Sequence, residues 1–205
     1  CALDNKGEIH CFGQSDDVGQ ISNFPDGLYS YLDVGFDQAC AIDQQGAVTC
    51  WGRNNVGQTD TPTGTFKMVS VGRNHTCVLD ANGLASCWGD DTLDVLSNIP
   101  DQQLVELHSG DDFACAIAID GEITCWGDNT YGQSASPSGL VQQLDVGDAH
   151  ACAVMRDGTS QCWGRVSSIP YVEDFIRIDA GQNSSCGLTT DGQVYCWDMD
   201  GERED

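Results

Sequence analysis

Apolar and polar positions alternate along this chain in short runs, and the same arrangement of runs recurs six times. Two clear copies are CAIDQQGAVTCWG, starting at Cys40, and CVLDANGLASCWG, starting at Cys77. Strict alternation over four to eight residues predicts a β-strand with one buried face, and two such runs around a short glycine-containing segment predict a hairpin. The copies follow one another at steps of 34 to 39 residues. The chain is therefore predicted to be a repeat protein built from hairpins.

The turn of each hairpin is predicted from a glycine six positions after the first cysteine of the copy. These glycines are Gly7, Gly46, Gly83, Gly121, Gly158 and Gly192. A three-residue hairpin loop ends on a residue with positive φ, which glycine adopts without steric cost. Folding about that loop places the two cysteines of a copy opposite each other and pairs Ile42 with Val48 on the same face. The fifth copy is weaker, because it places Val154 opposite Ser160.

A third strand is predicted before five of the six hairpins, in the runs YLDVG, FKMVSVG, LVELHSG, QQLDVG and FIRIDAG. Each linker between repeats carries one proline, as expected outside a central ladder, and no segment has a helical apolar stripe. Several short strands per repeat, at a period in the high thirties, predict propeller blades. We therefore expect an all-β propeller of about six blades, with a single domain over residues 1–198 and an acidic tail over residues 199–205.

The first repeat lacks the preceding strand, so we expect the first blade to be incomplete and to leave an unpaired edge. Such an edge pairs readily with another chain. One explanation is that the chain is an excerpt of a longer protein, in keeping with a sequence that begins with Cys and shows no signal peptide. The alternative is that a partner or a neighbouring copy supplies the strand, which makes the protein a structural subunit of an assembly.

All twelve cysteines fall into the six copies, with nine residues between the members of each pair. The pairs are Cys1 and Cys11, Cys40 and Cys50, Cys77 and Cys87, Cys115 and Cys125, Cys152 and Cys162, and Cys186 and Cys196. Opposed strand positions suit a disulfide, whereas zinc knuckles usually have a C-x2-C spacing. We expect six disulfides, with redox or metal roles as the alternative. Because disulfides persist in oxidising compartments, we expect a secreted or cell-surface protein.

The repeat resembles a known family in its full pattern: a strand ending in Gly, then HTC or HAC, an apolar strand, DG, CWG and N-x-x-GQ. This pattern looks like the regulator of chromosome condensation repeat, whose superfamily includes β-lactamase inhibitor protein II and the extracellular repeats of plant crinkly receptor kinases. The GQ pair is present at Gly19-Gln20, Gly57-Gln58 and Gly132-Gln133. The resemblance covers residues 1 to about 198 and implies a β-propeller, commonly of seven blades, that acts as a binding module.

The charge balance of the sequence argues against one class of binding partner. Acidic residues outnumber basic ones by 32 to 8, which gives a net charge of −24 at pH 7. Nucleic-acid binding needs a basic surface, so we expect no nucleic-acid partner, although the founding member of the family works on chromatin. No stretch has the length of a transmembrane helix. Strong acidity suits solubility in a salty medium or the binding of divalent cations.

Candidate ligand contacts lie in the variable segments, because loops on a rigid scaffold concentrate function. We expect Tyr29, Asn54, Asp90 and Tyr131 to lie on one rim and bind a partner. The aromatic residues that follow each second cysteine, from Phe12 to Trp197, are expected to pack between blades.

Other candidate sites are weaker. Asp198 and Asp200 in the acidic end are candidate calcium ligands, although a complete calcium loop is missing. Asn74 and Asn183 stand in glycosylation sequons. The remaining motifs do not indicate catalysis, because no nucleophile elbow, phosphate loop, zinc-protease motif or dinucleotide fingerprint is present. His75 and His150 occupy one repeat position, where Gln38 and Phe113 stand in other copies, and we expect a structural hydrogen-bonding role for them.

These observations together predict a non-catalytic, disulfide-stapled binding module that needs no cofactor, apart from the calcium candidates. Its partner is expected to be a protein or a second copy, bound through rim loops or an unpaired edge, with a glycan as a further candidate ligand.

Overall fold

The computed structural model describes residues 1–13, 16–166 and 174–198. Seventeen strands lie in these ranges. They are β1 (Ala2–Leu3), β2 (Ile9–His10), β3 (Tyr29–Val34), β4 (Gln38–Asp43), β5 (Val48–Gly52), β6 (Phe66–Val71), β7 (His75–Asp80), β8 (Ala85–Gly89), β9 (Leu104–Ser109), β10 (Phe113–Ala118), β11 (Ile123–Gly127), β12 (Val141–Val146), β13 (His150–Met155), β14 (Ser160–Gly164), β15 (Phe175–Ala180), β16 (Ser184–Thr189) and β17 (Val194–Asp198).

The strands form six antiparallel sheets, one for each repeat, and these sheets are the blades of a β-propeller. The first sheet holds β1 and β2. Each of the other five has three strands in chain order, with the second strand in the middle, as in β3-β4-β5. The prediction of an all-β propeller with a hairpin in each repeat is therefore confirmed.

The register of the hairpins is the predicted one. Cys40 lies opposite Cys50 and Ile42 opposite Val48, and even the weak fifth copy pairs Val154 with Ser160. The geometry of the loop after β4 explains this register. Gly46 takes a φ of 86° and its N–H donates to the carbonyl of Asp43 over 3.1 Å, which closes a three-residue loop.

All six expected disulfides form, so every cysteine of the chain is paired and the disulfide prediction is confirmed. Each bond joins the two strands of a hairpin. The four pairs from Cys40 to Cys162 have a buried first cysteine, so these bonds lie beside the apolar core. Among the residues described, no helix has the length and apolar character needed to cross a membrane.

The core lies between neighbouring blades. One apolar cluster joins Leu79 on β7 to Leu104 and Leu107 on β9, and Trp126 of the following hairpin closes it. The middle strands β10 and β13 are buried along their whole length. Each blade therefore depends on its neighbour for burial, as expected when one repeat cannot cover its own apolar face.

The tryptophans after the second cysteines fix the blades to the preceding linkers. Trp126 Nε1 donates to the carbonyl of Val95 over 2.9 Å, and Trp51, Trp88 and Trp163 make the equivalent bond to the glutamine of the preceding linker. Inter-blade packing is thus the role of these tryptophans. Phe12 differs, because the residue is 76% exposed and its ring has no N–H to donate.

The first strands of successive blades line the propeller axis. Val71 N–H on β6 donates to Asp33 Oδ2 on β3, and Ala180 N–H on β15 donates to Asp145 Oδ2 on β12, both over 2.7 Å. In these two blades, the residue two positions before the glycine that follows the first strand therefore accepts a backbone hydrogen bond from the next blade.

Candidate interaction face

The turn between the first and second strand of each blade forms one face of the propeller, which we call the corner face. At each corner a glycine follows the first strand, and consecutive corners touch. Asp111 N–H donates to the carbonyl of Asp148 over 2.9 Å, and a Cβ added to Gly72 would lie 2.5 Å from the carbonyl oxygen of Gly110. Only glycine fits such an approach of backbone to backbone. The corners therefore form a rigid frame around the axis.

The five side chains that follow these glycines form a ring at the end of the axis, which we call the mouth ring. Its members are Phe36, Arg73, Asp111, Asp148 and Gln182. The Arg73 guanidinium lies 4.8 Å from the centre of the Phe36 ring, and its Nη1 lies 3.0 Å from Asp111 Oδ2. The ring surrounds a cavity of about 290 Å³.

In four blades, the residue that follows the last strand lies on the same face, around the mouth ring. Arg53 N–H donates to the carbonyl of Asp37 over 2.8 Å, and Asp128 N–H donates in the same way to Asp112 over 2.9 Å. Asp90 and Arg165 occupy the same position in their blades and make the same bond to the corner. Loops that are far apart in the sequence thus meet on one face.

Carboxylates crowd this face. Burial raises the pKa of Asp112, and the nearby charges of Asp111, Asp90 and Asp128 raise it further. Burial also raises the pKa of Asp148, with a contribution from Asp111. Perturbed acids gathered in a concave region mark candidate functional sites. The face is therefore suited to a partner that brings positive charge.

A second cavity of about 290 Å³ adjoins the mouth ring, and we call it the Tyr131 cleft. Its lining residues are Arg73, Asp111, Asp112, Asp128, Tyr131, Gln133, Asp148, Ala149, Arg165 and Asn183. Tyr131 is 53% exposed as a residue, and the Arg165 guanidinium carbon lies 5.5 Å from the centre of its ring. Gln133 is buried and fixes the loop, since its Oε1 accepts from Tyr131 N–H and its Nε2 donates to Asp128.

Three of the four residues expected on one rim lie in the loops that follow the last strands. Tyr131 lines the cleft, Asp90 is bonded to the corner of its blade, and Asn54 is exposed and bonded to Asp60. Tyr29 is different. The sequence predicted a loop position, but Tyr29 begins β3 at the end away from the corner, is only 8% exposed and packs in an apolar cluster. The loop prediction was wrong because the backbone N–H of Tyr29 donates to the carbonyl of Gly7, and this bond starts the strand.

The histidines of the corner are buried beneath it. His150 Nε2 lies 2.8 Å from Ser185 Oγ, which fits the expected structural hydrogen bond. Neither ring nitrogen of His75 has a partner with hydrogen-bond geometry among the described residues, so this ring fills space instead. Burial lowers the pKa of His75 to about 4, against the smaller opposing effects of the Asp111 backbone and the Asp90 charge.

His108 joins two blades at the axis, although no pattern in the sequence indicated a role for it. Its Nε2 lies 2.8 Å from Glu106 Oε1, and its Nδ1 lies 3.3 Å from Asp145 Oδ1 on the next blade. Burial alone lowers the pKa of His108, but the hydrogen bonds and charges of Asp145 and Glu106 outweigh it and raise the pKa to about 9. The ring is therefore an imidazolium at neutral pH.

The candidate calcium and glycan positions lie at different places. Asp198 ends β17 opposite Ser184, and Asp200 lies outside the described residues. Asn183 is exposed at its corner and lines the Tyr131 cleft, whereas Asn74 is half-buried and Thr76 of its sequon is wholly buried.

Three residues of the types that bind metal ions lie close together on the first hairpin. Asp4, Glu8 and His10 have ligand atoms within 4.8 Å of one another. Sequence reasoning did not single out this group.

Sequence reasoning also missed the mouth ring, although a signal was available. When the repeats are aligned on their cysteines, the two residues after the corner glycine change from one repeat to the next. They read Phe-Asp, Arg-Asn, Asp-Asp, Asp-Ala and Gln-Asn. Variable side chains inside a constant frame indicate positions that the fold does not dictate.

Comparison with known proteins supports this architecture. A family model described as the Regulator of chromosome condensation (RCC1) repeat matches residues 31–58, 67–93, 107–133, 141–167 and 175–197. No curated protein sequence matches the chain significantly.

Solved structures with the same fold include two plant receptor ectodomains. The ectodomain of the Physcomitrella patens receptor kinase CR4 is 26% identical, with a TM-score of 0.84 over 97% of this chain and 59% of that one. The CRINKLY WD40 ectodomain of the Arabidopsis thaliana receptor kinase ACR4 is 23% identical, with a TM-score of 0.78 over 94% of this chain and 74% of that one.

A third structure is Prp20p from Saccharomyces cerevisiae, which is 19% identical, with a TM-score of 0.67 over 82% of this chain and 56% of that one. The present chain spans only about three fifths of the moss ectodomain. Since the repeat model matches more than half of the chain, the protein belongs to the regulator of chromosome condensation (RCC1) repeat family.

Proposed function

We propose that this protein is a non-catalytic interaction module that binds a protein partner with a basic surface through its corner face. The mouth ring is the observation that carries the proposal. It places variable side chains, including the carboxylates of Asp111 and Asp148, on a frame of touching backbone corners. A rigid frame reduces the entropy lost on binding, because few groups must be ordered.

Charge complementarity supports the choice of a basic partner. The chain carries a net charge of −24, and burial and neighbouring carboxylates raise the pKa values of Asp112 and Asp148 on this face. A cationic partner relieves this repulsion and is steered toward the face before contact. The same field repels the phosphates of nucleic acids.

An oxidising setting, secreted or at the cell surface, fits the six disulfides. Similarity to the moss and Arabidopsis receptor ectodomains supports the same setting. Yeast Prp20p is described by its binding to Gsp1p and histones, and at 19% identity we do not carry those partners over to this protein.

Three of the four histidines support a function without catalysis. A general base must be unprotonated at the working pH and must reach the substrate. His75 and His150 are buried, and Asp145 and Glu106 keep His108 protonated by raising its pKa to about 9. These rings are therefore poor candidates for proton transfer.

Quantitative cross-linking to secreted and surface proteins of the native source tests the proposal. The test variant is Asp111→Asn/Asp148→Asn, and the matched control is Asp120→Asn/Asp157→Asn in hairpin loops at the opposite end of the blades. A purified partner should bind the test variant about tenfold more weakly than the control, and its affinity for the wild type should fall with salt. Equal binding by both variants would contradict the proposal.

A further inference from the structure

We propose that the Tyr131 cleft is an arginine subsite, where a guanidinium of the partner stacks on Tyr131 and pairs with the acidic wall. This proposal rests on the proposed function, because the arginine belongs to the protein partner. It commits the cleft to one chemistry, the planar cation of an arginine side chain.

The first observation is that the chain already holds a guanidinium on this ring. Arg165 Cζ lies 5.5 Å from the centre of the Tyr131 ring, within the range of a cation–π interaction. About half of the Tyr131 surface stays exposed, and the cavity of about 290 Å³ beside it is open. The ring face thus accepts a guanidinium and has room for one from outside.

The second observation is the charge of the wall. Asp112, Asp128 and Asp148 line the cleft, and no ion pair among the described residues engages Arg165. Arg73 is committed elsewhere, since it pairs with Asp111 and stacks on Phe36. The cleft therefore has more carboxylates than cations, and burial together with like charges raises the pKa of Asp112.

The third observation is that the cleft is preformed. Gln133 is almost fully buried and holds both Tyr131 N–H, at 2.8 Å, and Asp128 Oδ2, at 2.7 Å. Asp128 is held further by Thr130 N–H. A ligand therefore meets an aromatic face and a carboxylate that are already in position, which lowers the cost of binding.

Arginine fits this arrangement better than lysine does. Its flat guanidinium stacks on an aromatic ring and donates paired hydrogen bonds to carboxylates, whereas the lysine ammonium is a compact and strongly hydrated point charge. A small metal ion does not use the ring face at all. The combination of an exposed ring and flanking carboxylates therefore selects for arginine.

The test is an NMR titration of the full ¹⁵N-labelled protein with three capped tripeptides, acetyl-Gly-X-Gly-amide with X as arginine, lysine or citrulline. The arginine peptide should shift the amides around Tyr131, Asp112 and Asp148 saturably. It should bind about three- to tenfold more tightly than the lysine peptide, and the uncharged citrulline peptide should not saturate. Equal affinity for arginine and lysine would overturn the proposal.

Variants locate the site. Tyr131→Ala and Asp112→Asn should each weaken binding of the arginine peptide about threefold or more, whereas Asp101→Asn, an exposed acid in the linker before β9, should leave it unchanged. Arg165→Gln removes a competing guanidinium and a positive charge from the cleft, so it should strengthen binding. Unchanged affinity in Tyr131→Ala, or weaker binding in Arg165→Gln, would contradict the proposal, and a spectrum that retains the wild-type pattern shows that each variant is folded.

The two proposals fail separately. If the arginine peptide does not bind while the Asp111→Asn/Asp148→Asn variant still loses the protein partner, the arginine subsite is wrong and the corner face stands. If the peptide binds in the cleft but the partner is indifferent to the mouth variants, the proposed function is wrong.

Discussion

Raising the pH through 9 should destabilise this protein, because the imidazolium of His108 joins two neighbouring blades. His108 on β9 contacts Glu106 on the same strand and Asp145 on β12 of the next blade, at 2.8 Å and 3.3 Å. Burial raises the pKa of Asp33 on β3, and the nearby charge of His108 partly opposes this rise. Loss of the proton removes a charge-assisted link between blades, and substitution of His108 by glutamine should do the same at neutral pH.

The pKa of His108 gives the size of the effect. It rises from the ordinary 6.5 to about 9, and one pKa unit corresponds to about 1.4 kcal/mol, so the upper limit is about 3 kcal/mol. The side chain is 22% exposed, and solvent reduces the value, so we expect about 1–3 kcal/mol. Because the folded pKa lies above the unfolded one, this stability is complete below 6.5 and is lost as the pH rises through 9.

The assay is urea unfolding without reductant, followed by tryptophan fluorescence, at about pH 6 and about pH 10. No free cysteine is present to exchange disulfides. Between the two pH values, the free energy of unfolding of the wild type should fall by about 1–3 kcal/mol more than that of His108→Gln. The phenol of Tyr31 does not titrate in this window, because burial and the charges of Asp33 and Glu106 raise its pKa to about 12.

The exposed His10, 3.4 Å from Asp4 on the first hairpin, supplies the matched control. His10→Gln should follow the wild-type pH profile. Parallel profiles for wild type and His108→Gln would refute the reasoning, because they would show that the proton on His108 contributes nothing to folding.

Three further predictions concern the frame. Replacing Cys115 and Cys125 by alanine should lower the free energy of unfolding by about 2–3 kcal/mol, because the disulfide joins residues ten positions apart. Gly147→Ala should lower the free energy of unfolding by about 3 kcal/mol or more, because the new methyl group would collide with the carbonyl of Gly181. Gly181→Ala should be almost neutral, because the nearest atom to its new methyl group, the carbonyl oxygen of Ser184, lies at 3.5 Å. Trp126→Phe should cost about 1–2 kcal/mol, because it leaves a buried carbonyl without its donor. Urea unfolding without reductant measures all three.

Each of these predictions can fail clearly. A Gly147→Ala variant as stable as Gly181→Ala would show that the corners do not touch as described. A Trp126→Phe variant with wild-type stability would remove the link between that indole and the preceding repeat. If loss of the Cys115–Cys125 bond changed nothing, the stabilising role of the bonds would be wrong.

The fold could be predicted from the sequence because its determinants are local and are repeated. A hairpin with a three-residue loop fixes its own register, so the pairing of Cys40 with Cys50 and of Ile42 with Val48 follows from the position of Gly46. Because the pattern occurs in six copies, it predicted a propeller of repeated hairpins, which a single copy could not have done.

The candidate site was harder to predict, because it depends on contacts between blades. The mouth ring brings together residues about 37 positions apart, such as Phe36 and Arg73, and no local pattern encodes that meeting. Tyr29 was wrongly placed in a loop because its segment between repeats looked irregular, whereas a backbone bond to Gly7 makes it the first residue of β3. His108 stands in an ordinary strand pattern, and only the next blade supplies Asp145.

Hydrogen exchange of the protein with and without its captured partner tests the central claim most directly, because it shows which face is covered. The account predicts slower exchange over residues 35–38, 72–75, 110–113 and 147–150, and over the Tyr131 loop at 128–133. Exchange in the hairpin loops at the opposite end of the blades, such as 119–122 and 156–159, should stay unchanged. Protection of those hairpin loops, with the corners unaffected, would contradict the assignment of the corner face.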